Sequence, residues 1–343
     1  MKTGSLVSIL IPVYCAEKYI ERCAISLFEQ TYENLEFIFV DDCTPDNSIQ
    51  LLKGVLEKYP QRMSQVKIIY HNQNRGISAT RNTLVDNCSG EFLFFVDSDD
   101  WIERDAIALM ISQQKDTDAD IVTSRVYDHW DDKVIEYIDG GWNANREEAL
   151  QGFLEWRLSH SLWRRLIRTS ICHENNIRCL EGVNMDEDIQ FVVPLFYYSR
   201  VVAGLDAFVY HYTRDNKKSY ARSLPKNYSL WEQRLKSIDM LISFFESKNC
   251  KYYQMASRLW MNRSHEAMVN AANNHDRKQY AVFAKHIYSK PQYWPEVKWD
   301  KFYRRVIERH YYLYVSFLPL WRSICVIRNM VNPKKVRNDG ENQ

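Results

Sequence analysis

Four short apolar runs, at 7–13, 35–40, 66–70 and 92–96, alternate with segments of helical spacing through the first third of the chain. Each run is too short for a typical helix and too uniformly apolar for a strand with one wet face. Each therefore reads as a strand, and the run at 92–96 as a buried one. The segments between them, 17–30, 49–59, 77–88 and a fourth over 104–114, carry apolar residues at helical intervals. Such alternation needs crossover connections, which place helices on both faces of a mostly parallel sheet. The expected fold class is α/β.

After about residue 118 the pattern changes. Residues 120–127 and 134–138 read as strands with no helix between them, an antiparallel extension of the sheet. Residues 147–158 and 187–197 have helical spacing, and 201–212 reads as a late strand. From about 227 the chain is aromatic, helical in pattern and free of strand signals. The expected division is 1–225 as a catalytic α/β domain and 226–343 as a helical region, with a boundary near Pro225.

The chemistry lies where the strands stop. Residues Phe92-Leu93-Phe94-Phe95-Val96 run straight into Asp97-Ser98-Asp99-Asp100, and the second strand ends in Asp41-Asp42. In open parallel sheets, ligands bind at this C-terminal rim. Crowded carboxylates repel one another, so a hard divalent cation, Mg²⁺ or Mn²⁺, is their natural partner, and a phosphate-bearing ligand would complete its shell. The first strand ends in Pro12-Val13-Tyr14, an apolar wall with an aromatic ring. If the three rims are neighbours, they describe a pocket for a nucleoside diphosphate.

Bulk properties set limits. The 45 Lys and Arg nearly balance the 44 Asp and Glu, so global charge gives no reason to expect a nucleic-acid partner. None of the eight cysteines forms a CxxC pair, which argues against a structural zinc site. The first apolar run is too short for a signal peptide, and no stretch reaches the roughly 20 apolar residues of a membrane span. The expected location is cytoplasmic. Residues 301–337 hold nine basic side chains and one acid, Glu308, interleaved with aromatics. This composition suits either an anionic membrane surface, giving a peripheral protein, or a helix packed on the catalytic domain with a solvated basic face.

Taken together, the motifs resemble the family 2 glycosyltransferases of the GT-A fold. They are Ile11-Pro12-Val13-Tyr14, Val40-Asp41-Asp42-Cys43, Asn74-Arg75-Gly76 with Arg81-Asn82, Val96-Asp97-Ser98-Asp99-Asp100, Glu187-Asp188, and Tyr210-His211-Tyr212-Thr213-Arg214 with Ser219 beyond. The resemblance covers roughly residues 6–220, and the order and spacing of the motifs make it specific. It implies an inverting enzyme that moves a sugar from a nucleotide sugar, most simply a UDP-sugar, to a glycan or lipid-linked acceptor in cell-surface polysaccharide synthesis. It implies that Pro12, Tyr14 and Asp42 hold the base and that Asp97 lies near the ribose. Asp99, with Asp100, would bind the metal on the diphosphate. Asp188 would be the general base, and Arg81 and Arg214 would neutralise phosphate charge. Cys43 departs from the family, which often has glycine there.

Several of these residues also have structural readings. Asp100 with Glu103, and Asn184 with Glu187, each fit a helix capping box. Asp41 reads better as a turn residue than as a ligand contact, Arg75 as a surface residue and His211 as a packed core histidine. Rival functions are a non-catalytic nucleotide-sugar binding protein, a haloacid-dehalogenase-type phosphatase and a nucleotidyltransferase. The phosphatase motif lies near the N-terminus, unlike Asp97-Ser98-Asp99 here. A nucleotidyltransferase would normally carry a glycine-rich loop after the first strand, where this chain has Pro12-Val13-Tyr14-Cys15.

Overall fold

The computed structural model describes residues 4–130, 133–137, 142–214 and 227–290. The basic segment 301–337, Ser219 and the expected boundary at Pro225 lie outside these residues. The four expected strands are present as β1 (Val7–Val13), β2 (Leu35–Asp41), β3 (Val66–Tyr70) and β4 (Phe92–Phe95). They are joined by α1 (Ile20–Phe28), α2 (Ser48–Leu56) and α3 (Ile77–Asp86). All seven residues of β1 are buried, as a strand covered on both faces requires. Side chains such as Ile9, Phe37 and Phe94 are wholly inaccessible, each contributing about 1.5–3 kcal/mol by leaving water.

The remaining elements of the α/β part are β5 (Trp101–Ile102), α4 (Ala106–Thr117), β6 (Ile121–Trp130), β7 (Lys133–Tyr137), α5 (Arg146–Leu154), β8 (Arg165–Arg168), α6 (Thr169–Glu174), α7 (Glu187–Tyr198) and β9 (Val202–Thr213). Among the described residues one nine-stranded sheet runs β3-β2-β1-β4-β8-β6-β9-β5, with β7 paired to β6. Strands β1 to β4 pair in parallel. The expected antiparallel extension is there as β6 and β7, and β8 also enters antiparallel between β4 and β6. The two-residue β5 starts six positions after β4 ends, yet pairs with β9 at the far end of the strand order. The sheet must therefore curl. Its far edge returns to the β4 rim, where the Tyr210 ring of β9 lies 6.4 Å from the Phe94 ring.

Asp120 ties this curl together. It is 3% exposed. It accepts from the Arg200 backbone N–H at 2.7 Å and from the Arg168 guanidinium at 3.0 Å. Burial pushes its carboxyl pKa up, but the hydrogen bonds from Arg200 and Arg168 outweigh that, and the net direction is down. A folded-state pKa below the unfolded value of about 3.9 adds stability that is present above that pH and lost as pH falls through the folded value. Asp120→Ala should cost about 2–4 kcal/mol at pH 7. Its stability should also fall less than the wild type's below about pH 4. Thermal unfolding across that range checks both; an unchanged midpoint at pH 7 would contradict the first.

Three helices follow among the described residues: α8 (Tyr228–Glu246), α9 (Cys250–Asn273) and α10 (Arg277–Tyr288). The first compact unit runs from the N-terminus to Leu259, past the expected boundary at 225. The reason is α8, which buries Leu235, Ile238 and Leu241 and joins α7 through the Gln190–Ser237 hydrogen bond at 2.8 Å. The second unit starts at Trp260 and, among the described residues, holds the rest of α9 and α10. There the Trp260 and His286 rings lie 5.3 Å apart, and the Asp276 side chain caps α10 by accepting from the Gln279 N–H. Among the described residues no helix is long and apolar enough to cross a membrane.

Candidate active site

Strands β2, β1 and β4 are adjacent in the sheet, so their C-terminal ends lie side by side. A cavity of about 550 Å³ opens there. Pro12 and Tyr14 line it from the β1 rim, Asp42 from the β2 rim, and Asp97 and Asp99 from the β4 rim. Tyr14 is 49% exposed, on the cavity side of the β1 rim. Asp41 turns away as expected, accepting the Thr44 N–H at 2.8 Å. Cys43 follows at φ +55°, a left-handed conformation that glycine enters without steric cost. That accounts for the glycine common in the family at this position.

Asp42 is held from several directions. Its Oδ1 accepts the Arg75 N–H at 2.8 Å, and its Oδ2 accepts the Gly76 N–H at 2.8 Å. His71 Nδ1 lies 2.7 Å from Oδ1; because a carboxylate can only accept, the ring presents an N–H there. The carboxylate thus anchors the turn that leads into α3. Gly76, at φ +84°, has no room for a side chain, since an added Cβ would lie 2.3–2.6 Å from the Asn184 amide. Gly76→Ala combines that clash with left-handed strain and should destabilise the fold by about 1–3 kcal/mol. Differential scanning calorimetry reads this directly, and a shift within error of the wild type would refute it. Arg75 itself points outward, paired with Glu181 at 3.0 Å where both are exposed.

Beneath the β4 rim lies Arg81 of α3, 4% exposed and facing three carboxylates. Asp97 is 3.6 Å away, Glu187 3.3 Å away, and Asp188 pairs with the same guanidinium. Burial disfavours the Arg81 charge, but Glu187 and Asp97 outweigh it and raise its pKa. Burial raises the carboxyl pKa values of Asp97 and Glu187, with Arg81 opposing in each case. Arg81 thus bridges the β4 rim and the first turn of α7. The expected capping box of Asn184 and Glu187 does not form. Asp186 stands at the N-cap position at φ +55° with no side-chain cap bond, and is held instead by Arg234 of α8. Glu187 is freed to face Arg81.

Asp100 is placed differently from its expected role as a metal ligand. It is wholly buried and does not line the cavity. Its Oδ1 accepts the Thr213 N–H at 2.7 Å and its Oδ2 the Tyr210 hydroxyl at 2.8 Å. Burial, and then the charges of Asp99 and Asp97, push its pKa well above the usual carboxylate range. It does not form the expected capping box with Glu103 either, since α4 begins after Asp105. Glu103 instead accepts from His211 Nε2 at 2.9 Å. His211 is the packed core residue expected, 9% exposed and stacked on Trp101 at 4.7 Å. Arg214 is also outside the cavity lining. Its Nε reaches both oxygens of Asp128 at 2.7 and 2.9 Å, and its guanidinium covers the Trp130 ring.

Two further features shape the site. Arg22 of α1 donates to the Asp99 carbonyl at 3.1 Å and to the Thr213 hydroxyl at 2.9 Å, with its guanidinium 3.6 Å above the Trp101 ring. It clamps the acidic segment against β9. A further wall of the cavity comes from the loop between α5 and β8, through Trp156, Ser159, His160, Ser161 and Trp163.

Comparison with known proteins now bears on this geometry. The profile described as "Glycosyl transferase family 2" matches residues 8–163. The "uncharacterized glycosyltransferase EpsJ" of Bacillus subtilis is 30% identical over 247 residues, which is 70% of each chain. The chain belongs to glycosyltransferase family 2. The "putative glycosyltransferase EpsH" of the same organism is 29% identical over 249 residues, 71% of this chain and 70% of the relative. At the level of fold, this glycosyltransferase resembles Staphylococcus aureus TarS 1-349, solved in complex with UDP-GlcNAc. The TM-score is 0.57 at 16% identity, over 83% of this chain and 92% of that one. It also resembles the Pyrobaculum calidifontis mannosyltransferase PcManGT, solved with GDP-Man and Mn²⁺. There the TM-score is 0.53 at 14% identity, over 93% and 88% of the two chains. The GT-A arrangement of a curled, mostly parallel sheet with flanking helices is shared.

The charge of the site tests whether a cation fits the glycosyltransferase. Asp42, Asp97, Asp99, Asp186, Glu187 and Asp188 line the cavity, while Arg81 is the only Lys or Arg among the described lining residues. Such a wall repels an anionic diphosphate unless a cation enters with it. Among the described residues no three His, Cys, Asp or Glu side chains converge on a metal-sized site. A Mg²⁺ or Mn²⁺ ion needs only one or two carboxylates, with phosphate and water supplying the remaining oxygens. The residues fit the group, with Asp99 and Asp97 as the accessible carboxylates of the β4 rim.

Proposed function

We propose that this glycosyltransferase moves a sugar from a UDP-linked donor to a hydroxyl of a glycan or lipid-linked glycan, with inversion and with a divalent cation. The observation that carries the reading is one cavity lined by Asp42, Asp97 and Asp99 from the sheet rims and by Asp188 from α7. Pro12, Tyr14 and Asp42 flank the base. The second lone pair of Asp42 Oδ2 accepts a base N–H while its other partners keep it in place. Asp97 lies at the ribose, and Asp99 with Asp97 holds the cation on the diphosphate. When bound, the cation neutralises charge that grows on the departing diphosphate. Asp188 takes the proton from the acceptor hydroxyl as the new bond forms at the anomeric carbon. Arg81 holds Asp188 in place and keeps its excess charge balanced. Inversion requires attack opposite the leaving group, and Asp188 reaches the cavity from a different element than the β4 rim. TarS, with UDP-GlcNAc, supports a uridine donor, and PcManGT, with Mn²⁺, supports a divalent cation.

The test is UDP release from UDP-glucose, UDP-galactose and UDP-GlcNAc, with Mn²⁺ or with EDTA. Metal-dependent release from at least one is expected. Release from none, or phosphate release from p-nitrophenyl phosphate, would overturn the reading in favour of the binding-protein or phosphatase alternative.

A further inference from the structure

We propose that the loop spanning residues 155–163 is the acceptor subsite and that it takes an uncharged sugar ring, not a uronate or a polyol phosphate. This rests on the donor reading above, because it assumes that the β1, β2 and β4 rims hold the nucleotide.

The loop is built, not incidental. The Gly152 carbonyl accepts the Arg157 and Leu158 N–H groups at 2.8 and 3.2 Å, and the Phe153 carbonyl accepts the Trp156 N–H at 3.0 Å. A Cβ on Gly152 would lie 2.5 Å from the Leu158 side chain, which packs closely over the turn. Trp156 sits at φ +57°. A bulky side chain in the left-handed region costs about 1 kcal/mol or more, and such strain gathers at ligand sites. The strain here turns an indole into the cavity wall, 4.4 Å from the His160 ring and at 50° to it.

The chemistry of this wall suits a carbohydrate. An indole face packs against the C–H groups of a pyranose, while hydroxyls need nearby donors and acceptors. Ser159, Ser161 and His160 all line the cavity. His160 Nε2 donates to the Phe153 carbonyl at 3.0 Å, so in the neutral ring Nδ1 is the acceptor.

The charge selects among sugars. The loop contributes no Lys or Arg to the lining. Among the described residues the cations around this wall are already engaged: Arg81 faces Asp97, Glu187 and Asp188, Arg234 faces Asp186, Arg157 of the loop pairs with Glu155, and the buried Arg165 donates to the Ser159 carbonyl and the Ser161 hydroxyl. A carboxylate or phosphate on the acceptor would enter beside Asp186, Glu187 and Asp188 with no cation committed to it, which is costly in a partly desolvated site. A neutral ring meets no such penalty.

Saturation-transfer difference NMR on the full chain with UDP and Mn²⁺ tests this. The probes are methyl β-glucopyranoside, its 2-acetamido analogue, methyl β-glucuronide and ribitol 5-phosphate. At least one neutral glycoside should bind through its ring C–H groups, and the two anions should not. Trp156→Gly relaxes the left-handed backbone while removing the ring, and should weaken glycoside binding roughly tenfold; Trp156→Phe should keep most of it. Preference for either anion, no binding of any glycoside, or unchanged binding by Trp156→Gly would each overturn the proposal. The thermal shift of the wild type with UDP and Mn²⁺ judges the donor reading separately. If that shift is absent while a glycoside binds through Trp156, the nucleotide assignment fails and the ring platform stands.

Discussion

Alanine at Asp99 should lower transfer by a factor of about 10²–10³ or more while leaving the unfolding midpoint nearly unchanged. The structure separates these two effects. Arg22 donates to the backbone carbonyl of Asp99, a hydrogen bond that truncation of the side chain leaves in place. The lost carboxylate is one that would hold the cation. The neighbouring residue should behave in the opposite way. Asp100 is fully buried with both oxygens hydrogen-bonded to β9, so Asp100→Ala leaves the Tyr210 hydroxyl and the Thr213 N–H without that acceptor. It should cost about 2–4 kcal/mol of stability. Steady-state transfer and chemical denaturation on both variants give the comparison. Loss of fold in Asp99→Ala with retained fold in Asp100→Ala would reverse the assignment.

The second large effect is expected at Asp188. Asp188→Asn keeps the shape and removes the base, and kcat should fall about 10²–10⁴-fold. The donor KM should change little, because the base does not hold the nucleotide. Arg81 would keep Asp97 and Glu187 as partners, so the network beneath the cavity should persist. A kcat within tenfold of the wild type would remove Asp188 from the chemistry. In that case Glu187, on the same turn and also in the cavity lining, becomes the carboxylate to examine.

Much of this site could be read from the chain because buried parallel strands leave a plain signal. The runs that became β1, β2 and β4 are continuous apolar stretches, and each ends where its polar residues begin. The β1–β2 adjacency is that of consecutive strands, whereas β4 returns to the other side of β1 after β2 and β3. What could not be read depended on contacts remote in sequence. The strand β5 has two residues, too few for any period, and exists because β9 curls back to pair with it. That return also claims Asp100, which local sequence offered equally as a metal ligand or a helix cap. Arg214 looked like a phosphate partner, but Asp128, 86 positions earlier, takes it. Strand β8 was missed because Arg165 and Arg168 hide its pattern, although Arg165 is almost completely buried. Trp156 fell within the helical spacing of 147–158, but α5 ends at Leu154, so the indole stands in the loop that follows.

The central claim is that the rims of β1, β2 and β4 bind a nucleoside diphosphate together with a cation. Thermal unfolding with UDP, GDP, CDP and TDP, each with and without Mn²⁺, tests it most directly. At a hundredfold excess over Kd a ligand adds about 2.7 kcal/mol, a readable shift. The account predicts a Mn²⁺-dependent shift that is largest with UDP. An unshifted midpoint with all four nucleotides would contradict it.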